Sequence, residues 1–501
     1  MPANLLAILP ELLLTVTGIV VMMAEPLLPP GRSRQPLGWV AILGSVAAGL
    51  AAVYQLRAVD ASGPIGAFYA TVQVDAFSVF FHLLISMIVA VTLLGSLEYF
   101  ETPVTGPGVT HAGEYFALVC FGATGMMFMS CSVELLMVFI GLEISSISTY
   151  ILAGFRKGRA TASESSIKYF LLGSFATAFF LYGIALCFGA TGSTTIAGIA
   201  AGLAATKTPA LGWLAVAMVL VGLGFKVSAA PFHVWTPDVY QAAPAPVVGL
   251  MSTAPKAAAF AVLLRFLLNA TPSLRPHWAL LIAVLAVASM CVGNLGALLQ
   301  RDVKRMLAYS SIAQAGYILI AFTGSPADAL AGVCFYTAAY AAMNVGAFLV
   351  IGQLSGFSER VRSLDDFTGL ALKRPGLSAL LALFLLSLIG IPFTGGFFGK
   401  FYIFSGAIHD GHTGLAVVGL INSGIACFYY LRLLASVYGR PLTDSVSHVP
   451  YRKLAPPAAL ALAVAAFATL ALGIYPNPLL HLAERAVPSA PAATTSVPPA
   501  H

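Results

Sequence analysis

Glu143, Lys226, Lys256 and Lys400 are ionisable side chains set inside long apolar runs, and that placement defines the chemistry open to them. With a rise of about 1.5 Å per residue and a hydrocarbon core about 30 Å thick, the middle of a membrane lies about ten residues from either end of a spanning helix. Glu143 sits about ten residues into its run, Lys256 about eleven, and Lys226 about fifteen into a run that breaks at Pro231. Lys400 closes GIPFTGGFFGK, where Pro392, Gly395 and Gly396 must interrupt a helix. A charge at a helix centre costs about 2.5–3.5 kcal/mol on insertion scales, so such groups face protein or water. In water a lysine binds its proton too tightly to relay it at neutral pH; a low-dielectric setting weakens that hold and a nearby carboxylate restores it. A pairing of Glu143 with Lys226 that forms and breaks would therefore switch the amine between keeping and releasing a proton. Lys256 and Lys400 would be further stations. His233, just past Pro231, is a possible extra station, since imidazole titrates near neutrality, and a turn contact explains it equally well. For the three lysines the plainer alternative is an ammonium satisfied by backbone carbonyls at a helix break, serving the fold alone.

The elements that must hold these groups are membrane helices. Of 501 residues 59% are apolar and 9% charged, too little polar material to cover a water-soluble globule. That excludes a soluble enzyme, a nucleic-acid binder and a disordered chain. Apolar stretches of spanning length predict an all-α polytopic membrane protein with about fourteen transmembrane helices, near 4–25, 37–56, 75–97, 114–131, 133–154, 164–190, 211–240, 245–269, 278–299, 303–323, 327–353, 376–408, 413–438 and 455–475. Strands are not expected, because period-2 alternation is missing. With the N-terminus outside, fifteen Lys and Arg fall in inner loops and four (Arg57, Lys207, Arg275, Arg485) in outer ones, so the net charge of +6 is an insertion signal. The other six, Lys168, Lys226, Lys256, Arg265, Lys400 and Arg432, lie within spans. Arg265 and Arg432 sit near helix ends and are expected to snorkel toward headgroups. Glu134, also near a helix end, is expected to be solvated.

The breaks at about 229–231 and 390–396 fall in the seventh and twelfth spans, five apart. An odd offset inverts the second copy, which predicts two inverted five-helix repeats with discontinuous helices 7 and 12. The expected organisation is a three-helix segment over 1–110, a first repeat over 111–270 (helices 4–8), a second over 271–440 (helices 9–13), a loop and helix 14 over 441–486, and a disordered outer tail over 487–501. The six cysteines stand apart, with no CxxC pair and no Cys/His spacing typical of a metal site, so no zinc or iron–sulfur site is expected. No nucleotide-binding motif is present. His82 and His277 receive no role.

The stretches GLGFKVSAAPFHVWTPDVYQAAPAPV (222–247), STAPK (252–256), GLEISSISTYIL (141–152), SIKYF (166–170), DVKRMLAYSSIAQAGY (302–317) and GIPFTGGFFGKFY (390–402) resemble the subunit N family of bacterial NADH:quinone oxidoreductase, respiratory complex I. The likeness covers nearly the whole chain. It implies an antiporter-like, fourteen-helix subunit of the membrane arm that translocates a proton, with Glu143, Lys226, Lys256 and Lys400 as its charged positions and Lys168 assisting near the first lysine. It also implies no cofactor in this chain. NADH, FMN, iron–sulfur clusters and quinone belong to partner subunits, the neighbours being antiporter-like subunit M and the small subunits J and K, in a bacterial inner membrane with both termini on the periplasmic side. Many relatives have His where this chain has Gln314, a side chain that does not titrate. Water, Tyr309 or Tyr317 would then have to bridge Lys256 to Lys400. A cation/proton antiporter subunit of the same fold, or a scaffold that pumps nothing, are the competing functions.

Overall fold

The computed structural model describes residues 3–29, 32–100, 111–156, 159–205, 209–357, 359, 361–440 and 453–485. In chain order the helices are α1 (Ala3–Ala7), α2 (Leu9–Ala24), α3 (Gln35–Ser62), α4 (Ala76–Ser96), α5 (Ala112–Cys131), α6 (Leu135–Ala153), α7 (Ala160–Thr191), α8 (Ile196–Ala205), α9 (Pro209–Val227), α10 (Thr236–Ala242), α11 (Ala245–Met251), α12 (Ala254–Leu264), α13 (Arg275–Leu298), α14 (Val303–Ala321), α15 (Pro326–Ser355), α16 (Leu370–Lys373), α17 (Pro375–Ile389), α18 (Gly395–His409), α19 (Thr413–Tyr438), α20 (Pro456–Ile474) and α21 (Asn477–Arg485). Every one of the fourteen expected stretches contains helix. By length and apolarity twelve helical runs among the described residues suffice to cross a membrane, or thirteen if the sharply bent pair Asp365–Lys373 and Pro375–Ile389 is one span. The chain is a multi-pass membrane protein. α14 misses that count because Lys304, Arg305, Ser310, Ser311 and Gln314 make it polar; almost all of it is buried in protein, which is what makes it tolerable at membrane depth.

Both expected breaks are present. α9 stops at Val227, where Ser228 takes φ 64°, and helix resumes at Thr236. α17 stops at Ile389, Gly390 takes φ 96° and Phe393 φ 68°, and helix resumes at Gly395. The lysines flank these breaks from opposite sides in sequence: Lys226 belongs to the piece before its break and Lys400 to the piece after. A third interruption, at Ser252 and Thr253 between α11 and α12, places Lys256 in the first turn of a helix rather than in mid-helix. Pro255 at the second position of α12 is its sequence signal.

Several expectations are corrected. Two three-residue strands, β1 (Ile65–Ala67) and β2 (Val72–Val74), pair antiparallel in the loop after α3, outside the apolar runs, and pack over Ala7, Ala52 and Val79. Arg265 does not snorkel: it is buried, its Nη2 donating to Asp75 at 2.8 Å and its Nε to the Ser130 carbonyl at 3.0 Å. Arg432 donates to the Leu298 and Gln300 carbonyls, serving the C-terminal end of α13. Glu134 is a buried N-cap of α6 that accepts from the Met137 amide at 2.8 Å, not a solvated acid. The tail over 487–501 lies outside the described residues. One apolar core runs without interruption from Leu14 to Ala483, so the first three spans pack on the rest.

One end of the bundle is tied by Glu359. Its carboxylate accepts from Lys304 Nζ at 2.7 Å, Tyr99 Oη at 3.1 Å and the Ala245 amide at 3.1 Å, and pairs with Arg156 at 2.7 Å. Burial alone would push this carboxyl up, but the Lys304 and Arg156 charges outweigh it and hold it below its usual 4.5. Its contribution is therefore complete above that unfolded value and is lost as pH falls through the lower folded one. Glu359→Gln leaves two buried cations facing a neutral amide, and should cost about 3–5 kcal/mol, measured as a lower unfolding temperature in detergent at neutral pH, with the gap from the parent chain closing on acidification.

Candidate functional site

Lys226 is the least satisfied of the buried lysines. Its ammonium has no hydrogen-bond partner and lies 5.5 Å and 5.8 Å from the ring centroids of Tyr150 and Tyr169, near enough for their negative π faces to offset part of its charge. Tyr169 is held by stacking on Trp235 at 4.3 Å, and the Trp235 indole donates to the Phe225 carbonyl at 3.1 Å, so the restart of helix past the break fixes the wall of the lysine's pocket. Glu143 stands on α6 within electrostatic reach of Lys226 without an ion pair closer than 4 Å, and its Oε1 has no partner. The two expected partners are thus near each other and unpaired.

Lys256 and Lys400 are each hydrogen-bonded. Lys256 Nζ donates to the hydroxyl of Ser311 at 2.6 Å and its carbonyl at 3.1 Å. Lys400 Nζ donates to the Leu388 and Ile389 carbonyls at 3.0 and 2.8 Å and to Ser423 Oγ at 2.8 Å, filling all three of its N–H groups. Those carbonyls are the orphaned acceptors that end α17, and the negative end of a helix dipole suits a cation. The Tyr317 ring lies 5.0 Å below the ammonium.

Between the two lysines runs a polar seam on α14 and α15. Tyr340 Oη donates to Ser311 Oγ at 2.8 Å, and one turn along α15 Tyr336 Oη donates to Gln314 Oε1. The Gln314 amide nitrogen donates at 3.3 Å both to Tyr430 Oη and to the Leu388 carbonyl. That same carbonyl accepts from Lys400, so Gln314 and Lys400 meet on one atom. Ser310 also pairs with Tyr430. The expected bridge is corrected in part: Tyr317 lies under Lys400 and its hydroxyl takes Asn294 Nδ2 at 3.1 Å, while Tyr309 has no hydrogen bond in the seam and packs against Gly293 and Gly296. Sequence reasoning missed Ser311, Tyr336, Tyr340, Ser423 and Tyr430. The i, i+4 spacing of Tyr336 and Tyr340 and the i, i+3 spacing of Ser311 and Gln314 are the signal that lines them up on facing helices.

Lys168 is not buried. Its side chain is 46% exposed and pairs with Glu164 at 2.7 Å and Asp238 at 3.3 Å, and Asp238 also binds Arg305 at 2.6 Å. It belongs to an ion-pair cluster of mixed charge at the end of the bundle where α10 meets α14. His233 lies in the break, partly exposed, with Nδ1 unpartnered and no bond to Lys226.

Buried amines at broken helices of a membrane bundle, two of them hydrogen-bonded to serine hydroxyls and one without a partner, are the features of an antiporter-like membrane subunit. The family described as "NADH:quinone oxidoreductase/Mrp antiporter, TM" matches residues 132–426, from the start of α6 into α19. NADH-quinone oxidoreductase subunit N 2 of Koribacter versatilis is 49% identical over 483 residues, covering 95% of each chain. A chain of respiratory complex I from Thermus thermophilus, solved with bound aureothin, is 35% identical with a TM-score of 0.77, covering 95% of this chain and 99% of that one. A chain of the Mrp complex from Dietzia sp. shares the fold at 22% identity and a TM-score of 0.84, covering 97% of each chain. The chain belongs to the subunit N family of NADH-quinone oxidoreductase.

The geometry of the second break rests on two glycines. Gly390 has a positive φ that a side chain strains, and a Cβ there would lie 3.2 Å from Lys400 Cδ; a Cβ on Gly396 would fall 1.8 Å from the Ser387 carbonyl oxygen. Gly390→Ala should cost about 1–2 kcal/mol. Gly396→Ala should lower the unfolding temperature further, because backbone there must move; equal effects would contradict this packing.

Proposed function

We propose that this chain is a proton-translocating subunit of the membrane arm of NADH:quinone oxidoreductase, moving a proton along Glu143, Lys226, Lys256 and Lys400 while quinone is reduced elsewhere in the complex. The observation that carries this reading is the seam itself: Lys256 bound to Ser311, and Gln314 and Lys400 sharing the Leu388 carbonyl, in the buried centre of the bundle. Serine and tyrosine hydroxyls both donate and accept, so they pass a proton by exchanging bonds, and Gln314 orients two of them without titrating. At the other end, closure of the gap between Glu143 and Lys226 gives the unpaired ammonium a counter-charge, and its reopening removes it. Re-pairing of buried charges supplies energy of the size needed, since a proton moved against the membrane potential costs about 2.3 kcal/mol per 100 mV.

In this reading the chain contributes translocation to an oxidoreductase and carries no redox site. NADH, FMN, iron–sulfur clusters and quinone are held by partner subunits. The face of α6 that presents Leu136, Ile140, Ile147 and Ile151 outward also carries Glu143, and a carboxylate on an apolar face calls for cover by protein rather than lipid, which supports direct contact with a neighbouring membrane subunit, among M, J and K. The paired breaks in the seventh and twelfth spans support two inverted repeats over 111–270 and 271–440, flanked by the 1–110 and 441–486 segments. The ion-paired cations Arg156, Lys304, Arg305 and Arg362 gather at one end of the bundle and Arg485 with Asp60 at the other, which supports a bacterial inner-membrane orientation with that first end inside and both termini periplasmic.

Lys226→Ala and Glu143→Gln, assembled in the whole complex and reconstituted in vesicles, should each reduce protons moved per electron pair and quinone reductase activity several-fold. Unchanged pumping in both would make the chain a scaffold, and sodium-driven proton exchange with no electron donor would make it an antiporter. Gln314→Leu keeps the volume and removes the amide. It should lower pumping several-fold while leaving the unfolding temperature within a few degrees, and normal pumping would show that the seam is not the path.

A further inference from the structure

Away from the lysines, α2, α4 and α5 bring Glu11, His82 and Cys131 together, three fully buried side chains separated by 49 to 120 positions in sequence. Their ligand atoms all lie within 4.8 Å of one another. Glu11 Oε1 is 3.2 Å from His82 Nε2 and 3.5 Å from Cys131 Sγ. We infer that Glu11, His82 and Cys131 form a binding site for a zinc-type divalent cation that staples the first three spans to the rest of the bundle.

The hydrogen bonds around the histidine decide which of its nitrogens faces the cluster. The Gln55 amide nitrogen is committed to the Leu6 and Ala7 carbonyls at 2.8 and 3.0 Å, so the Gln55 oxygen faces His82 Nδ1 at 3.3 Å and must accept from it. The proton of a neutral ring therefore sits on Nδ1, and the Nε2 lone pair points toward Glu11 and Cys131. This is the way a ligating histidine is ordinarily oriented from behind. Nε2 makes no hydrogen bond despite its 3.2 Å approach to the carboxylate, so the contact is not an aligned ion pair, and Glu11 Oε2 is likewise buried without a partner. The Cys131 thiol donates to Glu11 Oε1, and loss of that one proton leaves three ligand atoms within 4.8 Å of one another in a buried pocket, an arrangement that a cation satisfies.

The distances suit zinc. Bonds of about 2.0–2.1 Å to nitrogen and oxygen and about 2.3 Å to sulfur, at tetrahedral angles, set the N···O edge near about 3.3 Å and the S···O edge near about 3.5 Å. The three residues offer one ligand atom each, which leaves the fourth tetrahedral position to a water. Charge balances as well: a dication with one carboxylate, one thiolate and a neutral imidazole is neutral overall, as a buried site requires. Binding replaces the thiol proton of Cys131, which leaves to solvent as the Zn–S bond forms, and no electrons move. The neighbouring Arg265 and Asp75 neutralise each other at 2.8 Å and leave this balance intact. The β1–β2 hairpin lies over the site, with Val72 bridging to Ser132 beside Cys131.

The test is zinc content of the purified whole complex, wild type against Cys131→Ser and His82→Gln, with zinc K-edge absorption on the wild type. The expected result is about one zinc per copy of this chain, bound by one sulfur and nitrogen or oxygen donors, and the loss of that equivalent in each variant. Zinc content identical in wild type and both assembled variants overturns the site. Should the variants fail to assemble, the wild-type complex stripped of zinc with a chelator, incubated with cobalt(II) and desalted decides: a retained cobalt with a sulfur scatterer supports the site, and no zinc before stripping with no retained cobalt after it overturns it.

Discussion

A positive charge inside hydrocarbon must be answered by protein, and much of this structure follows from the three ways it answers one. Lys400 is met by carbonyls that a helix gives up when it breaks. Lys256 is met by a serine on a polar helix. Lys226 is met by aromatic faces and by the field of a carboxylate at a distance. Only the first arrangement fills every N–H of the ammonium, so the three amines are not equivalent, and the least satisfied one lies nearest the acid whose position can alter its surroundings.

Each answer imposes a demand on the surrounding fold. Carbonyls are released only where backbone leaves the helical path, and Gly390 and Gly396 meet that demand by a positive φ and a close approach to Ser387. A helix bearing serines, a glutamine and tyrosines is stable at membrane depth only when other helices cover it on all sides, which is why α14 lies against α13, α15, α18 and α19 instead of facing lipid. Polar content that disqualifies α14 as an isolated span is what lets it carry the hydrogen bonds to Lys256, Tyr336, Tyr340 and Tyr430. At the bundle end Glu359 gathers Arg156 from the loop after α6 and Lys304 from the first turn of α14, so the two share one buried anion and cannot drift apart cheaply.

Much of the architecture was legible from apolar run length, because the hydrocarbon core sets a fixed length scale and leaves few alternatives to helix. The breaks were legible for a related reason: Pro and the paired glycines are poor tenants of an unbroken membrane helix, so their presence beside Lys226 and Lys400 announced interruptions. The small hairpin was not legible, since six paired residues in a loop carry no periodicity strong enough to detect. Arg265 was misread as a snorkelling side chain because its counter-ion, Asp75, lies 190 positions away, and Lys168 was drawn toward Lys226 although its carboxylate partners hold it at the bundle end.

The sequence by itself determined that the chain is a helical membrane protein, where two of its helices break, and that four ionisable groups sit deep within it, because depth and helix disruption by Pro and Gly are local properties of a linear pattern. Only the tertiary structure decided what each charge touches: that Gln314 and Lys400 share one carbonyl, that Tyr340 meets Ser311 and Tyr336 meets Gln314, and that Glu11, His82 and Cys131 converge. Contacts of this kind join residues on different helices, and the side-by-side packing of helices is written in no spacing along the chain.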